Sequence, residues 1–228
     1  MWPFSRSPKQ FTPQDDCVWC SYNALQHGAA KQAAEAMSLG KVLIVPHYRN
    51  SVINAEVSLL DACEEAQMVT GTADASAMKS FLQQLNRRAG LVQSNQLKLA
   101  LARTDLPARP KDRSRPPLAI IAWERHPLRV YDDRITVFAE ELDEWFACTL
   151  TFHAALDTPP MSMFAGDTTQ AILQRLGMKE TDSIQHPMLS KSIAKAQAKV
   201  AEKTPQDPSP EADSAEEWFE AWKRSYEV

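Results

Sequence analysis

Three side chains of different chemistry follow one another directly after a predicted buried strand. Glu124, Arg125 and His126 come at the end of the apolar run 118–123 (LAIIAW), a pattern typical of a strand buried on both faces of a sheet. Open α/β sheets bind ligands at the carboxyl ends of their strands. A carboxylate, a guanidinium and an imidazole at that place could hold or sense a phosphate. They could equally form an ion pair that locks the strand to the next helix.

His47 occupies a similar place after an earlier apolar run. The run 42–46 (VLIVP) follows Gly40 and ends at His47, so it also predicts a buried strand of a parallel sheet. The imidazole could contact a ligand at the strand end. It could also be a polar residue that leaves the core where the strand stops, and the sequence leaves both alternatives open.

Cys17 and Cys20 form a single C-x-x-C pair near the start of the chain. A structural zinc site needs four ligands, usually from two such pairs, and Cys63 and Cys148 are isolated in the sequence. A redox pair would follow a strand and open a helix, whereas the preceding segment 11–16 (FTPQDD) does not predict a strand. We therefore expect ordinary buried cysteines and no metal, with zinc and redox roles as the less favoured alternatives.

The end of the sequence carries an aromatic stripe on a short predicted helix. Ser214 and Glu217 have the spacing of a capping box at its start, and a polar, Pro-rich linker at 203–213 precedes it. A short helix cannot bury two tryptophans by itself. We expect the helix to dock either on its own body or on a partner protein. The partner-binding residues predicted from the stripe are Trp218, Phe219, Trp222 and Tyr226.

Composition argues against several classes of function. The chain has 228 residues, a net charge of −4 and only 6 glycines. A net acidic chain argues against a nucleic-acid binder that relies on a basic surface, and no glycines have the spacing of a phosphate-binding P-loop or a dinucleotide fingerprint. No run of about 18 apolar residues is present, and the first residues lack the apolar core of a signal peptide. We expect a cytoplasmic protein, with peripheral membrane contact left open.

The elements that must position these residues alternate between strands and helices. Such alternation predicts the α/β class, with a mostly parallel sheet flanked by helices, and we expect the strands Val42–Val45 and Ala119–Trp123 to be central and adjacent. A Pro-rich, basic loop is predicted at 104–117. The predicted strands are 42–45, 68–69, 119–123 and 145–153, and the predicted helices are 22–39, 51–66, 74–88, 129–142, 160–176, 187–202 and 214–226.

One stretch of the sequence resembles a known family. It contains Arg175-Leu176-Gly177-Met178, then Ile184-Gln185-His186-Pro187, then Ala196-Gln197-Ala198-Lys199-Val200. This series is similar to the SecA preprotein-translocase motor ATPase family, which has approximately R-x-L-G-M, I-E-H-P and A-Q-x-K-V where its second nucleotide-binding domain joins the scaffold helix. Upstream, residues 123–132 (WERHPLRVYD) resemble the T-E-R-H-x-S-R-R-I-D segment of the family.

The resemblance implies a reduced RecA-like α/β domain with a C-terminal helical extension. It divides the chain into a flexible arm (1–14), a RecA-like domain (15–180), a scaffold-helix stub (181–202), a linker (203–213) and an aromatic terminal helix (214–228). It also implies a set of weak, inherited nucleotide contacts, which are Glu124, Arg125, His126, Arg129 and Asp132.

The sequence departs from the family where the ATPase site is completed. After its I-D-N-Q-L segment the family continues R-G-R-x-G-R-Q-G-D, whereas residues 136–150 are TVFAEELDEWFACTL. Phosphoryl transfer depends on such positioned charges, so we expect no ATP turnover and no required cofactor. The expected role is a non-catalytic SecA-like binding protein, with the translocation machinery as the candidate partner. The alternative is a residual nucleotide-binding domain that supplies half an ATP site to a partner in trans, which leaves ATP or ADP binding open.

Overall fold

One sheet organises the part of the chain that the computed structural model describes, which is residues 11–63, 68–69, 75–84, 88–97, 115–164, 171, 175, 179, 181–204 and 206–226. Its strands are β1 (Cys17–Trp19), β2 (Lys41–Val45), β3 (Met68–Val69), β4 (Ala89–Leu91), β5 (Pro117–Ala122), β6 (Ala147–Ala155) and β7 (Ser183–Gln185). These seven described strands lie in the order β3-β4-β2-β5-β6-β1-β7.

The sheet is parallel except at one edge. β2 lies beside β5 with Val42 opposite Ala119, and β1 runs parallel to the last three residues of β6 with Cys17 opposite His153. β7 is antiparallel to β1. Within β6, only the last three residues pair with β1. Asp16, the residue before β1, therefore lies at the end of the sheet where β2 and β5 also finish.

Helices cover both faces of this sheet. They are α1 (Tyr22–Leu39), α2 (Arg49–Ala62), α3 (Ala75–Gln83), α4 (Arg129–Leu142), α5 (Pro187–Glu202) and α6 (Ala215–Tyr226), with a short 3-10 turn at Ser94–Gln96. Successive strand residues point to opposite faces. Val42 and Ile44 pack with α1 and α2, whereas Leu43 and Val45 pack with α3 and α4. No described helix has the length and apolar character needed to cross a membrane.

Local sequence explains several helix ends and one close contact. The Ser21 hydroxyl accepts a hydrogen bond from the Ala24 amide at the start of α1, and Pro187 opens α5, where its missing N–H is not needed. Ser214 accepts from the Glu217 amide at the start of α6. Gly28 of α1 lies against the buried Trp19 ring, where a Cβ would come within 1.8 Å of a ring carbon.

The predicted α/β class, with a mostly parallel sheet flanked by helices and a C-terminal helix, is confirmed by the strand order. The two strands expected to be central and adjacent are neighbours. The predicted helices 22–39, 129–142 and 187–202 have the observed bounds, whereas 51–66 is shifted to Arg49–Ala62, 74–88 is shortened to Ala75–Gln83 and 214–226 begins one residue later, at Ala215. The strand predicted at 145–153 lies at Ala147–Ala155.

Three strands were not predicted, namely β1, β4 and β7. Each has only three residues, so none offers a run long enough to show alternation or an apolar block. β7 joins residues 183–185 to the same sheet as the rest of the body, although the sequence placed them in a separate stub. Most of the predicted helix 160–176, of the loop 104–117 and of the arm 1–14 lies outside the described residues.

Candidate functional site at the strand ends

A buried network of polar side chains lies where β2 and β5 end. We call it the strand-end network, and its members are Asp16, His47, Arg125, Asp132 and Gln197. Asp16 precedes β1, His47 follows β2, Arg125 follows β5, Asp132 lies in the first turn of α4, and Gln197 is on the buried face of α5. The network therefore links the residues beside β1, β2 and β5 to the helices α4 and α5.

The carboxylate of Asp132 is the centre of the network. Its Oδ1 accepts from His47 Nε2 at 2.8 Å and from the His126 backbone amide at 3.1 Å. Its Oδ2 accepts from Arg125 at 3.0 Å and from Gln197 Nε2 at 2.6 Å. The donors come from three segments that are far apart in the sequence, at His47, at Arg125 and His126, and at Gln197, so one carboxylate holds these segments together.

Charge keeps this carboxylate ionised although it is fully buried. Burial alone would raise the pKa of Asp132, but the Arg125 guanidinium and the His47 hydrogen bond outweigh burial and hold the pKa well below its usual value. An ionised carboxylate only accepts hydrogen bonds, so the proton in the contact with His47 lies on Nε2. The other imidazole nitrogen, Nδ1, contacts the Ser94 hydroxyl at 2.9 Å.

Arg125 is bound on two sides by carboxylates. Its Nε donates to Asp16 at 2.5 Å, its terminal nitrogen donates to Asp132, and its guanidinium carbon lies 3.7 Å from the centre of the Phe152 ring. Burial lowers the pKa of the guanidinium, but the two carboxylates raise it overall. The charge of Arg125 is thus balanced inside the protein.

His126 is a neutral packing residue. Its Nδ1 accepts from the Leu128 amide at 2.9 Å, and its backbone carbonyl accepts from Gln197 at 2.8 Å. Burial, with a further contribution from His47, holds the pKa of its imidazole well below the usual value. The ring lies 4.0 Å from the centre of the Tyr131 ring and 5.7 Å from that of Trp218.

The C-terminal segment covers the strand-end network. Trp218 is fully buried, and its indole N–H donates to Asp207 Oδ1 at 2.9 Å. Asp207 also accepts from the Tyr131 hydroxyl on α4. The indole N–H of Trp222 donates to Thr204 Oγ1 at 2.8 Å, at the end of α5. The terminal helix is therefore docked on its own body.

A cavity of about 320 Å³ remains between this segment and the strand ends. It is lined by His47 and His126, by the exposed Arg49 at the start of α2, by Asn95, and by residues 209–213 of the C-terminal segment. A cation and an amide beside a helix amino terminus can hold an anion.

The structure brings most of the predicted site residues together but leaves one apart. Glu124, Arg125, His126 and Asp132 are brought together, and His47 joins them. Arg129 lies outside this cluster, because its exposed side chain pairs with Asp133 one turn further along α4 at 3.3 Å. The prediction that these residues contact a nucleotide stays a prediction.

The cysteine pair lies in the interior, at β1 and just after it. Cys17 and Cys20 are both buried and form no disulfide. Burial raises the pKa of the Cys17 thiol, which disfavours the thiolate that redox chemistry and metal binding need. Within the described residues, no cluster of three or more His, Cys, Asp or Glu side chains is placed to hold a metal ion.

The aromatic stripe is divided between the interior and the surface. Trp218 is buried, whereas Phe219 and Trp222 are half-buried and stack with ring centres 5.6 Å apart. The side chain of Tyr226 lies outside the described residues. The partner-binding role of these residues stays a prediction.

Asp16, Ser94 and Gln197 were not predicted as site residues. Gln197 stood within the A-Q-x-K-V series, and its helical spacing from Ile193 and Val200, which places it on their apolar face, was the available signal. Nothing in the local sequence marked Asp16, because its position depends on β1 pairing with β6 across more than a hundred residues.

We predict that Asp132→Asn lowers the free energy of unfolding by about 3–5 kcal/mol, because it leaves the buried Arg125 with an incomplete set of charged partners. Urea denaturation measures this change. Asp133→Asn is the matched control, since it removes the same charge from the next residue, which is exposed, and should change stability by less than about 0.5 kcal/mol. Equal effects of the two variants would show that Asp132 does not organise the site.

We predict an acid-dependent loss of stability from His153 on β6. Burial lowers the pKa of its imidazole from 6.5 to about 3, so the unfolded chain takes up a proton below pH 6.5 that the folded chain does not. The free energy of unfolding is therefore unaffected by this group above pH 6.5, and it decreases as the pH falls from 6.5 toward 3. Between pH 7.5 and 5.5 the loss is about 1.4 kcal/mol.

The measurement compares denaturation of the wild type with His153→Asn at the two pH values. Asparagine can still accept from the Trp19 indole N–H, which donates to His153 Nδ1 at 3.0 Å, but it does not titrate. The variant should lose about 1.4 kcal/mol less than the wild type, and His27→Asn at an exposed position of α1 should follow the wild type. A variant with the wild-type pH slope would refute the prediction.

Comparison with known proteins identifies similarity to SecA. No family model matches the sequence. Protein translocase subunit SecA of Acidithiobacillus ferrooxidans is 39% identical over 83 residues, which are 36% of this chain and 9% of that protein. SecA of Methylococcus capsulatus is 36% identical over 83 residues, with the same shares of the two chains. SecA of Phocaeicola vulgatus is 28% identical over 164 residues, which are 72% of this chain and 13% of that protein.

Among solved structures, the C-terminal part of the Fun30 ATPase domain overlaps loosely. The TM-score is 0.41 at 10% sequence identity, over 73% of this chain and 49% of that one. The fold assignment therefore rests on the strand order and register described above. The matched region spans 9% to 13% of the length of the SecA proteins named here. This chain is thus related to SecA in sequence, over part of its own length and a small part of theirs.

Proposed function

We propose that this chain is a SecA-like binding or accessory protein of protein targeting or translocation, and that it does not hydrolyse ATP. The link to translocation rests on its similarity to SecA proteins. The observation that carries the non-catalytic part is the state of Arg125. This guanidinium at the strand ends is already bound to Asp16 and Asp132, so it is not available to a phosphate without breaking two ion pairs.

The surroundings of Arg125 support the same proposal. Phosphoryl transfer needs cations directed at the transferring group and a metal-holding carboxylate. Asp132 accepts from four donors inside the protein, and His126 lies beneath the docked Trp218. Three of the groups that the resemblance implies as nucleotide contacts, Arg125, His126 and Asp132, are therefore bound within the protein.

The surface of α5 and α6 is the proposed binding face. Buried Ile193, Gln197 and Val200 hold α5 on the body, and the opposite side presents exposed Met188 together with a row of lysines at helical spacing, which are Lys191, Lys195 and Lys199. The stacked Phe219 and Trp222 of α6 are half-buried, and the Trp222 indole N–H donates to Thr204 just after α5. A helix with anchors at this spacing is suited to recognition in a groove of another protein.

The second candidate function is a half-site for ATP or ADP completed by a partner. The cavity of about 320 Å³ beside Arg49 and the amino terminus of α2 favours it. A nucleotide bound there would contact residues 209–213 of the C-terminal segment as well as the strand ends.

Nucleotide titration separates the two functions. We predict that the melting temperature stays flat up to millimolar ATP or ADP with magnesium, and that ATP hydrolysis does not exceed the buffer background. Saturable binding would stabilise the fold by RT ln(1 + [L]/Kd), or about 2.7 kcal/mol at a hundred times Kd. A saturable rise that Arg49→Gln abolishes would establish the half-site, and turnover that follows the protein through purification would overturn the non-catalytic proposal.

We predict that Trp222→Ala weakens binding to immobilised SecA from the source organism more than it lowers the melting temperature. Trp222 is half-buried, so its loss removes surface that a partner can use. Trp218→Ala is the contrasting variant, because truncating a fully buried tryptophan costs about 3–5 kcal/mol of folding stability. If Trp222→Ala melts many degrees lower and binds SecA as the wild type does, the helix is ordinary core and the binding proposal fails.

A further inference from the structure

The outer face of α5 presents positive charge at a regular interval. Exposed lysines recur at every fourth residue along this face and just past the helix end. We call them the lysine row, and its members are Lys191, Lys195, Lys199 and Lys203. At 1.5 Å per residue the row extends over about 18 Å. Glu202 is the one carboxylate in the sequence of α5, so the outer face has a net positive charge.

The lysine row has no counter-charge within the part of the chain that the structure describes. No described carboxylate forms an ion pair with any of its four members, and the Lys199 ammonium lies over the Phe164 ring at 5.3 Å. On the adjoining helix α6, Glu217 accepts from a backbone amide at the helix start and Glu220 pairs with Lys223. The charge of the outer face is therefore available to another molecule.

The repetition of like charge at this spacing opposes helix stability. Side chains four residues apart on a helix lie about 5–6 Å from each other, and like charges in that arrangement are destabilising. Lys195 takes part in two such pairs, with Lys191 before it and Lys199 after it. A partner that brings carboxylates to the row replaces this repulsion by attraction, so the row suits a surface that binding completes.

Apolar side chains lie at both ends of the lysine row. Met188, one turn before the first lysine, is 70% exposed. At the other end, the indole N–H of Trp222 donates to Thr204, the residue that follows the row, and the half-buried Trp222 ring stacks with Phe219. The surface thus has cations in its middle and apolar groups at its ends.

We propose that the lysine row docks a carboxylate-rich helix of a partner protein, with Lys191, Lys195 and Lys199 as the charge contacts. A helix with glutamate at every fourth position repeats its carboxylates at about 6 Å, which is the interval of the row. The inference rests on the proposed function, because it names the chemistry of the partner that the α5 and α6 surface binds.

A broad anionic surface matches the lysine row less well. Recognition of an anionic membrane takes clusters of about four to eight Lys or Arg residues, and duplex nucleic acid is held by cations on many phosphates. The whole chain has a net charge of −4, so the rest of the molecule repels an extended anionic surface. A single acidic helix contacts the row alone and avoids that repulsion.

The test measures fluorescence anisotropy of two labelled, alanine-based helical peptides titrated with the full chain. Both peptides have the same glutamates and a leucine at each end. In the row peptide the glutamates are four residues apart on one face, and in the spread peptide they are five residues apart around the helix. We expect the row peptide to bind about threefold more tightly or better, because several ion pairs form at once, and added salt should weaken its binding.

Variants of the exposed lysines identify the contacts without endangering the fold. Lys195→Gln should weaken binding of the row peptide about two- to fivefold and raise the melting temperature by about 1–2 °C, because it removes both repulsive pairs. Replacing Lys191, Lys195 and Lys199 together by Gln should weaken binding about tenfold or more. Lys31→Gln, at an exposed position of α1, removes the same charge elsewhere and should bind the peptide as the wild type does.

Equal binding of the two peptides, or wild-type affinity in the triple variant, would overturn the proposal. Lysine-dependent binding to phosphatidylserine vesicles or to duplex DNA, with no binding of the row peptide, would overturn it too. Capture by immobilised SecA is measured in parallel. Unchanged SecA capture by the triple variant, with no peptide binding by the wild type, refutes this inference and leaves the proposed function standing. Lysine-dependent binding of the row peptide without SecA capture supports this inference and refutes the partnership with SecA.

Discussion

The buried carboxylate of Asp132 is the interaction on which the remaining architecture depends. It lies in the first turn of α4 and accepts from the ends of β2 and β5 and from α5. An ionised group at this depth is tolerated only because cationic and neutral donors surround it. Through Arg125, the same charge reaches Asp16 and the short strand β1. Removing the Asp132 charge would leave the largely buried Arg125 guanidinium with one carboxylate partner instead of two.

The network also determines what the strand ends can do. In open α/β sheets this edge is the usual place for a ligand. Here His47, Arg125 and Asp132 bind one another, and the terminal helix places Trp218 over His126. Two cavities remain on either side of Tyr48, one beside Arg49 and the other beside Glu124. Residues of the C-terminal segment line both cavities, so the docked segment forms part of each.

Three residues of the strand-end network lie in the segments that resemble SecA. The resemblance was found on 123–132 and on the region that leads into α5, and these segments supply Arg125, Asp132 and Gln197. Arg125 and Gln197 both donate to Asp132. The residues that carry the sequence resemblance therefore also hold the strand ends together. These contacts give the three residues a structural role that does not depend on ATP hydrolysis.

The sequence by itself determined the α/β class, the adjacent central strands and the three helices with correct bounds, because each rests on apolar runs or periodicity within one segment. It also identified Glu124, Arg125, His126 and His47 as residues at strand ends. Only the tertiary structure decided their partners. Asp16 reaches Arg125 through β1, and Gln197 reaches Asp132 through the packing of α5. The docking of Trp218 was likewise open, since a short amphipathic helix does not encode which surface covers it. Contacts between distant segments depend on strand pairing and burial, and no local pattern carries that information.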